Sequence, residues 1–166
     1  DIEREILPAC ADQGLGMLCW SPLARGFLGG KYERGQEPPE GSRISFRKKV
    51  DIPRYFHDRS FDTLEVLKKN AAELDKTPSQ LALAWLLADQ RVTAVLCGPR
   101  TVAQVEDALG VADWDLPREC WEQLEEVSEL PHGYPLEWID SNFHNIGGQE
   151  EFRPAHQRLV RDRREV

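Results

Sequence analysis

The chain has 166 residues, 40% of them apolar, and a net charge of −8, which is the size and composition of one globular domain. Its longest apolar run, Leu81 to Ala88, is far shorter than the roughly 20 residues of a membrane-spanning helix, so we expect no membrane partner. The acidic balance argues against a nucleic acid as partner, and any basic site must be local.

The first third of the chain predicts a helix, a strand and a long loop. Apolar residues at helical spacing predict a helix over Ile2 to Gln13, ended by Gly14. The uninterrupted apolar run Met17 to Trp20 predicts a short strand that is buried on both faces. Ser21 to Asp58 contains four prolines and several glycines, which predicts a loop without a long regular element. A loop of this length in a compact domain is usually functional or disordered.

Two helices and a second strand are predicted next. Phe61 to Leu74 places its leucines and alanine on one stripe of a helix. Thr77, Pro78 and Gln80 begin the following helix with a capping box, and its interior is apolar nearly all round. Such a helix is typically sandwiched between two layers. The β-branched run Arg91 to Cys97 predicts the second strand.

The remaining elements complete an alternating α/β order. Helices are predicted over Thr101 to Leu109 and over Leu116 to Leu130, and the pattern breaks up from Pro131 onward. The end of the chain, residues 149–166, is expected to be a charged carboxyl-terminal tail. Helices that alternate with apolar strands indicate parallel α/β architecture, but two strands alone leave both sheet edges unpaired. We therefore expect partner strands from a longer polypeptide.

The spacing of cysteine and histidine predicts neither a disulfide framework nor a metal site. The four cysteines match no zinc or iron–sulfur pattern, and the four histidines are dispersed along the chain. No segment has the composition of a signal peptide. We therefore expect reduced thiols, no bound metal and a cytoplasmic location. The cysteines are Cys10, Cys19, Cys97 and Cys120.

Cations and glycines follow both predicted strands. Ligands of parallel α/β proteins bind beyond the carboxyl ends of the strands, where loop amides and helix N-termini converge. Amide donors beside several cations predict a site for a pyrophosphate or a 2′-phosphate. The residues concerned are Ser21, Gly26, Lys31 and Arg43 after the first strand, and Gly98, Arg100 and Thr101 after the second.

Four sequence blocks in a fixed order carry a family resemblance. They are WSPLARGFLGGKYERG, PPEGSR, TPSQLALAWLL and VTAVLCGPRTVAQVEDAL. Together they resemble the carboxyl-terminal half of an aldo-keto reductase, in the branch that includes the potassium-channel β-subunits, from Glu3 to about Leu130. The resemblance implies an α/β fold that is the carboxyl-terminal part of a (β/α)8 TIM barrel, incomplete in this chain. Residues 1–148 would form the partial aldo-keto reductase domain.

The resemblance also implies a cofactor and a reaction. Family members bind NADP(H) across the carboxyl face of the barrel and transfer a hydride reversibly between NADPH and an aldehyde or ketone. Trp20 matches the family position that stacks on the nicotinamide ring. The positions that match the pyrophosphate site are Ser21, Pro22, Leu23, Ala24 and Gly26, with Lys31 and Arg43 as phosphate cations. Those that match the site of the 2′-phosphate, ribose and adenine are Gly98, Arg100, Gln104 and Asp107. Ala108 stands where the family usually has Asn, which removes one adenine contact.

The pattern alone leaves a structural reading of these residues open. Trp20 fits a core aromatic of a buried strand, and Lys31 fits a solvated loop cation, as does Arg43. Gln104 and Asp107, one turn apart, also fit an exposed helix face.

No residue is nominated as catalytic. The family's catalytic Asp, Tyr, Lys and His belong to the amino-terminal half of the barrel, and no segment here matches their motifs. Tyr32, Tyr55 and Tyr134 lie outside any such motif. We expect the chain alone to be inactive and to need the missing amino-terminal half-barrel, with a carbonyl compound as the substrate of the whole. Residues 33–59 and 131–148 are expected to border its pocket.

Two alternatives to an enzyme remain. One is a non-catalytic NADP(H)-binding sensor or channel-associated subunit, and the other is an inactive fragment. The sequence leaves the oligomeric state open.

Overall fold

The computed structural model describes residues 2–130 and 133–142, in which helices alternate with two strands. The strands are β1 (Met17–Trp20) and β2 (Val92–Leu96). The helices are α1 (Ile6–Asp12), α2 (Lys48–Tyr55), α3 (Asp58–Glu73), α4 (Pro78–Leu87), α5 (Val102–Leu109), α6 (Arg118–Ser128) and α7 (Leu136–Asn142). Short 3-10 helices occupy Ser45–Arg47 and Gly110–Asp113, and Ala24–Gly29 is an irregular 3-10 segment interrupted by left-handed backbone at Arg25 and Gly26.

The two strands form a parallel pair, as the element order predicted. Met17 pairs with Val92 and Trp20 pairs with Leu96, with an irregularity in register after Met17. A small apolar cluster of Leu7, Cys19 and Val92 joins the helix side of this pair to α1. Because the strands are parallel, the carboxyl ends of β1 and β2 lie at the same edge of the sheet.

The prediction that β1 is buried on both faces is wrong for this chain. Cys19 is buried, whereas its neighbours Leu18 and Trp20 are 55% and 71% exposed. Side chains alternate between the two faces of a strand, so the helices cover one face and leave the other open. Leu96, opposite Trp20, also lies exposed on β2. The described residues supply no second layer over this face.

The connection between β1 and α3 is more ordered than its prolines predicted. It holds two 3-10 helices and α2, although no element in it exceeds the eight residues of α2, which contains Pro53. Phe27 is buried here, with its ring centroid 5.3–6.2 Å from four other aromatic rings. Burial of large aromatic side chains offsets the local cost of a helix-internal proline. The rings around Phe27 belong to Tyr32, Tyr55, Phe56 and Phe61.

The predicted centre of the fold is confirmed at α4. Thr77 and Gln80 form the capping box, with two hydrogen bonds of 3.1 Å. Leu81 and Leu83 are fully buried, because α4 packs against α3 on one side and β2 and α5 on others. The sandwiched position inferred from the apolar sequence is therefore correct.

Other boundaries differ from the predictions. The chain from Ile2 to Glu5 forms turns, so α1 begins only at Ile6. α3 begins at Asp58, where the ring of His57 accepts a hydrogen bond from the Ser60 amide at 3.3 Å. The segment beyond residue 130 holds α7, where the sequence pattern predicted no regular element.

The charged tail predicted over residues 149–166 lies outside the described residues, and the domain boundary at residue 148 stays a prediction. A search of the described helices found none with the length and hydropathy of a membrane span.

Candidate cofactor-binding site

The two predicted anion-binding segments start side by side. Trp20 and Leu96 are register partners at the ends of β1 and β2. Arg100 follows Leu96 by four residues, so their Cα atoms lie within about 14 Å of each other even if the chain is fully extended. The structure therefore brings Trp20 and Arg100 to the same edge of the sheet, with the Trp20 ring exposed there.

A left-handed turn follows β1. Three consecutive residues, Ala24, Arg25 and Gly26, have φ values of 47°, 58° and 85°, and Ser21 has a φ of 56°. Each non-glycine residue in this region costs about 1–2 kcal/mol. Hydrogen bonds close the turn, from the Ala24 amide to the Ser21 carbonyl at 2.9 Å and from the Gly26 amide to the Leu23 carbonyl at 2.7 Å. Strained backbone of this kind clusters at ligand-binding segments.

Lys31 lies against this turn. A Cβ atom added to Gly26 would be 3.7 Å from the Lys31 Nζ atom, so the ammonium group lies over the glycine backbone. The same Nζ atom is 5.4 Å from the centroid of the Tyr32 ring, whose face attracts a cation. Lys31 itself is exposed. Its position gives the turn a positive charge that faces solvent, which suits a phosphate ligand.

Arg43 lies between two buried residues. Ser42 and Ile44 on either side of it are buried, while Arg43 is exposed. Within residues 2–130 and 133–142 its guanidinium makes no hydrogen bond or ion pair, and it is available for an anion.

The segment after β2 is built around the start of α5. The Thr101 hydroxyl caps the helix by accepting from the Gln104 amide at 3.3 Å, and the Gln104 side chain accepts from the Arg100 amide at 2.8 Å. Asp107 accepts a 2.7 Å hydrogen bond from the Thr77 hydroxyl, the cap of α4. Gln104 and Asp107 thus have structural partners, and their predicted contacts with adenosine stay predictions.

Gly98 has free space around it. No described atom lies within 4 Å of a Cβ atom added there, so packing among the described residues does not require glycine at this position. A ligand that approaches the backbone closely is one reason for glycine at such a place.

Sequence reasoning missed one charged pair next to the predicted site. Arg25, in the left-handed turn, and Asp51, on α2, form an ion pair with 3.2 Å between Nε and Oδ1. The signal available in the sequence was a single acidic residue in a run of basic and apolar residues, Lys48 to Arg54.

Comparison with known proteins decides the family. The model of the aldo/keto reductase family matches residues 1–129. The chain belongs to this family. The resemblance read from the four sequence blocks is therefore confirmed.

Several curated proteins are similar to most of the chain. It is 36% identical to the uncharacterized oxidoreductase YrpG of Bacillus subtilis, over 79% of this chain and 37% of that protein. It is 34% identical to a probable voltage-gated potassium channel subunit beta of Arabidopsis thaliana, over 68% of this chain and 34% of that protein. It is 35% identical to the aldo-keto reductase yakc [NADP(+)] of Schizosaccharomyces pombe, over 66% of this chain and 33% of that protein. The chain thus spans about a third of the length of these relatives.

A solved structure shows the fold to which the chain belongs. A glycerol dehydrogenase of Gluconobacter oxydans matches with a TM-score of 0.63 and 23% identity, over 80% of this chain and 41% of that one. The predicted incomplete (β/α)8 barrel is confirmed. In such a barrel the helices cover the outer face of the strands and the inner face is filled by side chains from the other strands. The described residues contain only two strands, so no other strand packs on the inner-face side chain of Leu18, while Trp20 lies at the carboxyl end of β1.

Proposed function

We propose that this chain supplies the NADP(H)-binding part of an aldo-keto reductase that interconverts an aldehyde or ketone and the corresponding alcohol. The observation that carries the proposal is that β1 and β2 end side by side, so that the segments with Trp20 and Arg100 both leave the sheet at its carboxyl edge. Membership of the family supports it, and so does the cofactor in the name of the relative from Schizosaccharomyces pombe.

The residues of this edge fit the chemical parts of the cofactor. The exposed Trp20 ring offers a flat surface for the nicotinamide, and stacking fixes which face of that ring meets the substrate. The turn Ser21–Gly26, with Lys31 beside it and Arg43 further along, suits the pyrophosphate. Gly98 and Arg100, followed by Gln104 and Asp107, suit the adenosine and its 2′-phosphate.

The division of chemistry follows from these roles. When bound, NADP(H) supplies or accepts the hydride, while the residues of this chain hold and orient it. The acid that protonates the carbonyl oxygen would come from the rest of the polypeptide, which would also complete the barrel. The four free cysteines support the further proposal of a cytoplasmic protein.

A second candidate function is cofactor binding without turnover. The similarity to the probable potassium channel subunit beta of Arabidopsis thaliana favours it. The two candidates differ in steady-state kinetics: an enzyme oxidises NADPH in the presence of carbonyl compounds, whereas a sensor binds NADPH and leaves it unchanged.

Fluorescence of the full-length gene product tests the cofactor site. NADPH is expected to quench Trp20, because the exposed ring would be in contact with the nicotinamide. Trp20→Ala is expected to remove that part of the quench and to weaken NADPH binding about five- to tenfold through lost stacking. Trp114→Phe serves as the control, since Trp114 lies beside the end of α4 and Arg91, before β2. A wild-type protein without saturable NADPH binding would contradict the proposal.

Cysteine labelling provides an independent test. Cys97 is exposed directly after β2, whereas Cys19 and Cys120 are buried. Partial desolvation raises the pKa of the Cys97 thiol, so alkylation is expected to be slow at neutral pH and faster in alkaline solution. NADPH at ten times its dissociation constant is expected to slow alkylation of Cys97 roughly tenfold, as measured by peptide mass mapping.

Cys10 is the internal control for this experiment. It is half-buried on α1, at the other end of β1, so NADPH is expected to leave its labelling rate unchanged. Equal protection of both thiols would indicate a general stabilisation in place of a ligand next to Cys97.

A further inference from the structure

The ion pair of Arg25 and Asp51 is buried beside the left-handed turn. The Arg25 side chain is 13% exposed and the Asp51 side chain is fully buried. Neither carboxylate oxygen of Asp51 has a well-formed hydrogen bond with a described residue, so the guanidinium of Arg25 is its one charged partner among them. A buried carboxylate is costly unless a charge of opposite sign lies close to it. Asp51 therefore holds the Arg25 side chain strongly inward.

The backbone of Arg25 is in the middle of the strained turn. Ala24, Arg25 and Gly26 are all left-handed, and only one of the three is a glycine. A conformation of this kind persists only where the surrounding structure holds it in place. Two side chains of the turn and its continuation point into the protein, Arg25 toward Asp51 and Phe27 into the aromatic cluster.

The pairing also decides which cations can bind a phosphate. Asp51 neutralises Arg25, whose guanidinium lies within the protein, whereas the ammonium of Lys31 lies exposed over Gly26. The sequence places both cations in the same segment, but only Lys31 is placed to meet an anion.

We propose that Asp51 is a positioning residue for the dinucleotide cofactor. It does not touch the cofactor; through Arg25 it holds the left-handed turn in the shape that receives the pyrophosphate. This inference rests on the proposed function, because it requires that the turn binds a dinucleotide.

The chain contains a matched pair for comparison. Asp89 and Arg91 form an ion pair of 2.6 Å whose side chains are as little exposed as that of Arg25. They precede β2, at the opposite end of the sheet from the turn. Asp89→Asn therefore removes a comparable charge at a distance from the proposed cofactor.

The experiment measures NADPH and NADH binding to the full-length gene product, together with the melting temperature. Asp51→Asn is expected to raise the dissociation constants of NADPH and NADH by the same factor, about tenfold. The ratio of the two dissociation constants stays constant because NADPH and NADH share the pyrophosphate and differ only in the 2′-phosphate. Asp89→Asn is expected to lower the melting temperature and leave both dissociation constants unchanged.

A double variant separates stability from positioning. Replacement of a buried ion pair by apolar residues is often neutral or stabilising, so Arg25→Met with Asp51→Leu is expected to regain the melting temperature lost in Asp51→Asn. The dissociation constants for NADPH and NADH are expected to remain raised, because no ion pair then joins position 25 to position 51. If Asp51→Asn does not fold, the double variant still shows whether cofactor affinity depends on the ion pair.

Three results would overturn the proposal. One is an unchanged affinity in Asp51→Asn or in the double variant, which would leave the pair a purely structural role. Another is a loss confined to NADPH, which would assign the pair to the 2′-phosphate. A wild-type protein that binds neither cofactor would refute the proposed function itself, and the positioning role with it.

Discussion

Phe27→Ala is expected to lower the free energy of unfolding by about 3–5 kcal/mol, because Phe27 is the centre of a buried aromatic cluster. The Phe27 ring is buried and contacts the rings of Tyr32, Tyr55, Phe56 and Phe61. Its removal leaves a cavity that these rings can fill only in part, because each is held by its own element. Urea denaturation followed by circular dichroism measures the change.

The matched control for this prediction is Phe46→Ala. Phe46 belongs to the same connection between β1 and α3, but its side chain is exposed, so its truncation is expected to change the free energy of unfolding by less than about 0.5 kcal/mol. Equal effects of the two substitutions would mean that the aromatic cluster does not organise this connection. Because Phe27 directly follows the left-handed turn, Phe27→Ala is also expected to weaken cofactor binding.

Glu125→Gln is expected to stabilise the protein above neutral pH. Burial is the largest cause, and together with the negative charges of Glu3, Asp89 and Glu129 it raises the pKa of the Glu125 carboxyl to about 7, against the opposing effect of the Trp85 indole N–H. The folded state thus binds this proton more tightly than the unfolded state does. The stabilising contribution is complete below the unfolded pKa of 4.5 and is lost as the pH rises to about 7.

The size of this effect is expected to be about 1–2 kcal/mol at pH 8, less than the full shift implies, because Glu125 is only partly buried. Thermal melts of wild type and Glu125→Gln between pH 4.5 and pH 8 measure it. Glu126→Gln removes the same charge from the exposed side of α6 and is expected to leave the pH profile unchanged. Parallel profiles for wild type and Glu125→Gln would contradict the prediction.

The sequence by itself determined the start of α4, the two strands and the family. The Thr77 and Gln80 capping box depends on atoms three residues apart, and α4 begins where it predicts. The apolar runs before Trp20 and Cys97 gave two strands that pair in parallel. The four sequence blocks were specific enough to identify an aldo/keto reductase, as the family model confirms. The capping box and the apolar runs can be recognised in the sequence because each is formed by residues that are neighbours along the chain.

Only the tertiary structure decided how distant residues meet. The exposed face of β1 follows from which other strands are present, a fact that the sequence of β1 does not contain. The order of the connection after β1 comes from aromatic packing around Phe27, and the partners of Arg25 and Asp107 lie 26 and 30 residues away in Asp51 and Thr77. These contacts depend on how the chain closes on itself, because burial and charge pairing are properties of the folded arrangement and not of any short stretch of residues.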